Sequence, residues 1–549
     1  MKDKFGWVWI VTLFLAACSS GKKEEHKERV IFRYNELGAV SSLDPVAASS
    51  FENIWAVNQL FNGLVQMDDS LKVRPCIARS WEISSDGLTY TFHLRKDVSF
   101  HTSIVFQPEK GRSVTAKDFE YSFERLFDKR ISRAADLLEY FDRNTEESPL
   151  KKGFRATDDS TFCITIKKPF AAFLGILTMK FFSVVPREAV EHFKSDFGRN
   201  PVGTGPFCFR AWKEGQKLIM ARNENYFEKE EGHALPYLDG VSVSFIHDRE
   251  SAWLNFLKGN VDMISGFDAF NAKEVLTSNG ELKNIYKNRF MLQSQPFLKT
   301  DYLGFLLDES NPLFRNNPLR QKALRKAINY GIDRDKMIKY LRYNIGTPAV
   351  NGFVPHGLPN YDNAEVKGYT YDPVKARQLM YLAGFPEGKG LPEIPLSTTK
   401  QYLDLAEHIR FQLTQIGIKI SINVIDDGTF REGVANSKMA FFRKSWVGDF
   451  PDPLNFLALF YSRNFSPNGS NYSHFSNRNF DILYEKALSE QNDSIRKACY
   501  YDMERIIIEE APVVPLYHDR VVRLVQNNIT GLNVNVINAL NLKTVKKIQ

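Results

Sequence analysis

From residue 30 onward, stretches of two-residue apolar alternation take turns with stretches of helical spacing, and the joints between them are short. In GLTYTFHL (87–94), Tyr90, Phe92 and Leu94 alternate with polar neighbours, as in a half-buried strand. Thr115 then opens TAKDFEYSFERLFD as an N-cap with Asp118 three residues on, and Phe119, Phe123 and Leu126 share one helical face. Asp372-Pro373 starts another helix, with Ala376, Leu379, Met380 and Ala383 on one side and Gly384 closing it. Leu403 to Ile416 is a further amphipathic helix ended by Gly417, and Ile418, Ile420, Ile422 and Val424 follow as an alternating strand. The fold class is therefore α/β, with helices laid on sheets. A chain of 549 residues is too long for one compact core, so two or three domains are expected. No low-complexity spacer separates them after residue 30, and VPHGLPNY (354–361) and FPEGKGLP (385–392) are only punctuation. Domains joined this closely touch extensively, and the chain crosses between them more than once.

A hydrophobic share of 43% and a charged share of 25% are ordinary for a soluble globular protein. The net charge of +7 is small, and Lys and Arg are scattered among Asp and Glu, which excludes a nucleic-acid stripe. Aromatic residues, at 13%, suit large cores and binding surfaces that grip by shape.

The N-terminus carries a processing signal. Lys2 and Lys4 precede the apolar run Trp7 to Leu15, and Leu15-Ala16-Ala17-Cys18 follows. The run is too short to span a bilayer comfortably. Ending in Leu-Ala-Ala-Cys, residues 1–18 are similar to a bacterial lipoprotein signal, which implies cleavage before Cys18 and lipidation of its thiol. The alternative is an ordinary signal peptide with an incidental Cys. Residues 19–29 read as a flexible polar tether. The expected location is the cell envelope. Ser19 after the lipidated Cys points to the outer membrane under enterobacterial sorting rules, whereas a Gram-positive cell would hold the protein on the outer face of its cytoplasmic membrane. Cys76, Cys163, Cys208 and Cys499 remain, and they read as one disulfide of unknown pairing or as free thiols.

Catalytic signatures do not stand out. The chain has no Gly-x-Ser-x-Gly elbow, no His-Glu-x-x-His and no Gly-x-x-x-x-Gly-Lys phosphate loop. Pro201-Val-Gly-Thr-Gly-Pro-Phe207 has two close glycines, but Pro206 and Phe207 stand where a dinucleotide site would open a helix, so a tight structural turn fits better. The ten His are dispersed, and neither a metal site nor a cofactor is expected. The pairs Asp68-Asp69 and Asp426-Asp427 fall in turn-like settings. One stretch poses a question of its own: SWVGDFPDPLNFL (445–457) sets Asp449 between Trp446 and Phe450, and Asp452 between two prolines.

Several long stretches, taken in order, resemble the extracellular solute-binding proteins of the dipeptide, oligopeptide and nickel group (family 5), which serve ABC importers. They are 43–68, 74–101, 113–128, PVGTGPFCFRAWKEGQKLIMARNENYF (201–227), PLRQKALRKAINYGIDRDKMI (318–338), 371–394, the 445–457 stretch, 480–488 and IIIEEAPVVPLYH (506–518). The resemblance implies a two-lobed periplasmic-binding-protein-like clamp of type II. Lobe I would comprise 30–67, 202–291 and 512–549, with an extra subdomain at 68–201, and lobe II would comprise 292–511.

It also implies a receptor, not an enzyme, that binds short oligopeptides and delivers them to ABC permease subunits, as a monomer anchored to the membrane by its lipid. Asp449 falls where peptide-binding relatives place an acidic residue against the ligand's α-ammonium. Trp446 and Phe450 would supply low-polarity walls, and Ser445 to Val447 would offer backbone to an extended peptide. Arg443 resembles an arginine that can meet a short ligand's carboxylate, or it pairs with a neighbouring acidic residue. For the additional arginine of dipeptide-specific relatives, the helix Gln401 to Ile416 offers only Arg410. Other ligands in the same class would be an opine, a sugar or a metal chelate; a sensing receptor uncoupled from import is the remaining alternative.

Overall fold

The structure is a computed structural model that describes residues 29–548 except 135, 136, 138, 139, 143–152, 267, 268 and 316. Cys18 and its leader lie outside the described residues.

One eleven-stranded mixed sheet runs through the molecule. In spatial order its strands are Ile420–Val424, Ile394–Thr398, Phe441–Val447, Phe290–Phe305, Val513–Gln526, Met263–Ser265, Ile31–Asn35, Gly240–Ser244, Lys217–Arg222 and Phe207–Lys213, with Thr347–Pro348 pairing separately with Val513–Gln526. Ile31–Asn35 lies parallel to Gly240–Ser244 and Met263–Ser265; at the other end Ile394–Thr398 lies parallel to Ile420–Val424 and Phe441–Val447. Between these two parallel units stand two long antiparallel strands, Phe290–Phe305 and Val513–Gln526. Their register breaks midway: Pro296 faces Arg520, but the next pair is Thr300 with His518, so 297–299 bulge opposite Asp519. Position 291–292 thus lies inside a strand, and the change of neighbours comes at the bulge.

The segment after residue 68 builds a separate antiparallel sheet, in the order Ala78–Ile83, Thr89–Leu94, Thr161–Thr165 and Phe154–Asp158. Helix Ala116–Glu124 covers it. The Thr115 N–H donates to the Asp118 carboxylate at 2.8 Å, and Phe119 and Phe123 are fully buried. Phe123 packs against Phe141, Phe154, Phe162 and Phe182 with centroids 5.2–6.2 Å apart, so part of the aromatic excess is core. This segment is fastened to residue 44 by a buried bidentate ion pair, Arg125 donating to both Asp44 oxygens at 3.0 and 2.6 Å.

Helix Pro373–Leu382 is capped by Asp372, whose side chain accepts the Lys375 N–H at 2.9 Å, and helix Leu403–Thr414 and strand Ile420–Val424 follow as the pattern predicts. The glycines of PVGTGPF act by close approach: a Cβ on Gly203 or Gly205 would meet the Leu60 backbone at 2.0 or 2.4 Å. Asp68 accepts two backbone N–H groups and pairs with Arg74, while Asp426 caps helix Asp427–Ala435. Cys76, Cys163, Cys208 and Cys499 are free thiols. No helix among the described residues is long and apolar enough to cross a membrane.

Candidate ligand-binding site

Strand Phe441–Val447 has two unlike edges. One pairs with Phe290–Phe305 along its whole length, from Phe441 opposite Phe305 to Val447 opposite Lys299. The other meets Ile394–Thr398 only at Phe442 opposite Ser397. Among the described residues, no strand covers that edge from Arg443 to Val447, a length suited to an added extended chain.

The chain then turns at Gly448. Its N–H donates to the Leu298 carbonyl at 2.7 Å, and a Cβ there would press the Phe456 ring at 3.1 Å. Asn455, itself buried, organises the turn. Its Oδ1 accepts the Trp446 indole N–H at 2.8 Å and the Asp449 backbone N–H at 3.4 Å. The Asp449 side chain is exposed, with no cationic partner among the described residues. Desolvation by the surrounding protein, opposed by a hydrogen bond with Asn455, pushes its carboxyl up to about 6.

The flanking residues divide differently from the sequence expectation. Trp446 is half-buried, but Phe450 is 8% exposed and packs edge-on against Phe170, 6.2 Å between centroids, so it is no open wall. Asp452 is buried and accepts the Leu454 N–H and the Tyr500 hydroxyl, both at 2.9 Å, a structural role. Arg443 is buried, ion-paired with the fully buried Asp301 and stacked on the Tyr402 ring. Burial pulls its pKa down to about 10, against the field of Tyr517 and Asp519. Ser445 and Val447, opposite Asp301 and Lys299, are half-buried on the same strand. Arg410 pairs with Glu407 on helix Leu403–Thr414, away from this edge.

The Arg443–Asp301 pair belongs to a larger group at the bulge. Lys299 lies 3.3 Å from Asp301 and 2.8 Å from Asp519, and Arg342 reaches Asp519 at 2.5 Å. Burial alone would raise the Asp519 carboxyl, but Lys299 and Arg342 outweigh it and hold it well below the usual range. Three cations against two anions leave one positive charge in excess within this group. Lys299, Asp301, Arg342, Asp519 and Asn455 carried no sequence signal as a group, because they gather from four distant parts of the chain.

A model of the bacterial extracellular solute-binding proteins, family 5, matches residues 72–468. The chain belongs to that family. Among curated relatives, heme-binding protein A of Haemophilus influenzae is 30% identical over 476 residues, covering 84% of this chain and 82% of its own. The dipeptide-binding protein of Escherichia coli is 26% identical over 490 residues, with 86% of each chain covered. Among solved structures, the periplasmic binding protein DppA of Helicobacter pylori, in complex with the peptide STSA, is 27% identical. It superposes with a TM-score of 0.75 over 94% of this chain and 98% of its own. HbpA2 of Haemophilus parasuis, 22% identical, matches in fold with a TM-score of 0.77 over 94% of this chain and 100% of its own. The family 5 chain thus has the two-lobed type II binding-protein fold, and the family is one of solute receptors of periplasmic or extracellular location.

Proposed function

We propose that the protein is the substrate-binding receptor of an ABC importer, taking short oligopeptides between its lobes and handing them to the permease without a chemical step. The observation that carries the reading is Asp449, an exposed residue whose carboxylate has no cationic partner among the described residues. It stands two residues past an uncovered strand edge. A peptide laid along Arg443–Val447 would pair through its backbone and place its α-ammonium at Asp449. At about 4 Å and an effective dielectric near 20, such a pair attracts by about 4 kcal/mol, partly offset by desolvation. The excess positive charge of the Arg443 group suits a ligand that ends in a carboxylate. Relatives named for dipeptide binding, and the one solved with the peptide STSA, agree with this ligand class.

Residues 30–67, 202–291 and 512–549 would form lobe I, carrying 68–201, and 292–511 lobe II. The bulge at 297–299, where strand register breaks, is the natural hinge. Cys18 would bear the lipid and 19–29 the tether. Native mass spectrometry of the chain from residue 19, followed by denaturation, tests the ligand. A ladder of small peptides that disappears in Asp449→Asn supports the reading. A single non-peptide solute, such as the heme in one relative's name, overturns it.

A further inference from the structure

The inserted segment 68–201 touches the loop that carries Asp449. Phe170 packs edge-on against Phe450, and a Cβ on Gly175 would stand 3.9 Å from both the Phe450 Cβ and the Pro451 Cδ. A Cβ on Gly87 would likewise lie 3.6 Å from the Gln491 amide nitrogen and 3.3 Å from Pro169. Phe170 is rooted in its own segment: it stacks on Tyr140 at 4.9 Å, and its carbonyl accepts the Tyr90 hydroxyl at 3.4 Å.

The attachments of this segment on its two sides are chemically different. Toward residues 44 and 62 it is held by the bidentate Asp44–Arg125 pair and by the Val184 N–H on the Asn62 carbonyl at 3.0 Å. Toward 450–451 the contact is between an aromatic pair, a glycine and a proline, the kind of surface that parts and re-forms without stranding a charge. On its other flank the Asp449 loop is pinned by the Gly448 N–H on Leu298, next to the bulge. The loop is therefore clamped from both sides.

We propose that Phe170 is a positioning residue for Asp449: the inserted segment travels with the lobe it is tied to and closes onto Phe450–Pro451 when the lobes shut on ligand, fixing the carboxylate in place. This rests on the two-lobed ligand reading above. The 3.9 Å separation at Gly175 and Phe450 is close to the Cβ–Cβ distance of about 3.8 Å in disulfides, so the contact can be trapped.

The test is oxidation of full-length mature Gly175→Cys/Phe450→Cys, mapped by peptide mass spectrometry against each single variant, with and without an alanine tri- to pentapeptide series. The same series is titrated calorimetrically into the unmodified chain. Without peptide, slow and incomplete cross-linking is expected, whereas prompt, complete cross-linking would reveal a standing contact and overturn the proposal. With a peptide that calorimetry shows to bind, cross-linking should accelerate at least tenfold, and bound peptide without acceleration also overturns it. If no peptide binds, the peptide reading fails instead, and the peptide-free rate alone decides the clamp. Phe170→Ala should raise the peptide dissociation rate about tenfold at an unchanged association rate, with partial rescue by Phe170→Leu. A purely structural residue would move melting temperature and leave that split absent.

Discussion

Arg443 and Asp301 form an ion pair inside the protein, 142 positions apart in sequence and on neighbouring strands. Asp301 has no exposed surface, so removing either partner breaks a buried pair, with Lys299 at 3.3 Å left as the one cation beside Asp301 when Arg443 goes. Arg443→Met and Asp301→Asn are each expected to destabilise the fold by about 3–5 kcal/mol, and Arg443→Met/Asp301→Leu to recover most of that loss. Denaturant unfolding of the three variants measures it. The double variant keeps Lys299 and Arg342 against Asp519, one positive charge in excess, so it should still favour free-acid over amidated peptides. If that preference vanishes with the pair, Arg443 itself meets the ligand.

With the ligand's α-ammonium placed at Asp449 as proposed, binding should depend on pH in one direction. Its carboxyl is pushed up to about 6, and only the ionised form attracts an ammonium. Peptide affinity should be flat above pH 7 and fall as the pH drops through about 6. Stability should move the other way. Between the unfolded carboxyl value near 4 and about 6, the folded chain binds more protons, so this group makes the peptide-free fold more stable as pH falls through that window. Calorimetric titration and thermal unfolding over pH 4.5–8 separate the two trends. Asp449→Asn should abolish the affinity trend and weaken binding by roughly 30-fold or more, the range of truncating one partner of a desolvated charge pair.

What the sequence made legible was local. The Thr115–Asp118 cap, the Asp372-Pro373 helix start and the alternation around Tyr90 and Ile420 are set by residues a few positions apart, and each lies where its pattern predicts. Asp449 stood out through its place between Trp446 and Phe450 and through the resemblance to peptide-binding relatives, neither of which fixes what it touches. The fate of Arg443 was not, because its partner arrives on another strand and both readings of an arginine look alike in one dimension. Phe450 illustrates the same limit: a ring beside a carboxylate suggests a wall, yet Phe170, 280 positions away, covers it. The bulge was invisible as well, since 297–299 differ from their strand neighbours only in what lies opposite.

Asp519 should be the acid-labile point of the bulge at 297–299. Lys299 and Arg342 hold its carboxyl well below the usual range, so its contribution is complete above about pH 4 and is lost as pH falls through its depressed value. Asp519→Asn removes the only anion that Arg342 touches in this group and leaves Lys299 with Asp301 alone. The expected loss is about 3–5 kcal/mol of stability at neutral pH, with a shallower acid-unfolding slope than the parent chain. An unchanged slope would place the acid sensitivity elsewhere.

The uncovered edge from Arg443 to Val447 predicts recognition through the ligand backbone. An extended peptide pairs with a strand edge by alternate amides, so only every second N–H faces the protein. A tetra-alanine series methylated at one amide nitrogen at a time should split into two classes. Methylation of an edge-facing amide removes a donor and adds bulk, weakening binding about tenfold or more, since one lost hydrogen bond is worth about 1 kcal/mol before the steric penalty. Methylation of the outward amide should change affinity by no more than a few-fold. Side-chain replacement along the same peptide should matter less than the sensitive methylation, because the edge reads main chain. Competition calorimetry distinguishes the patterns: equal tolerance at every amide would remove the strand edge from the binding site and leave the Asp449 carboxylate as the ligand's main anchor.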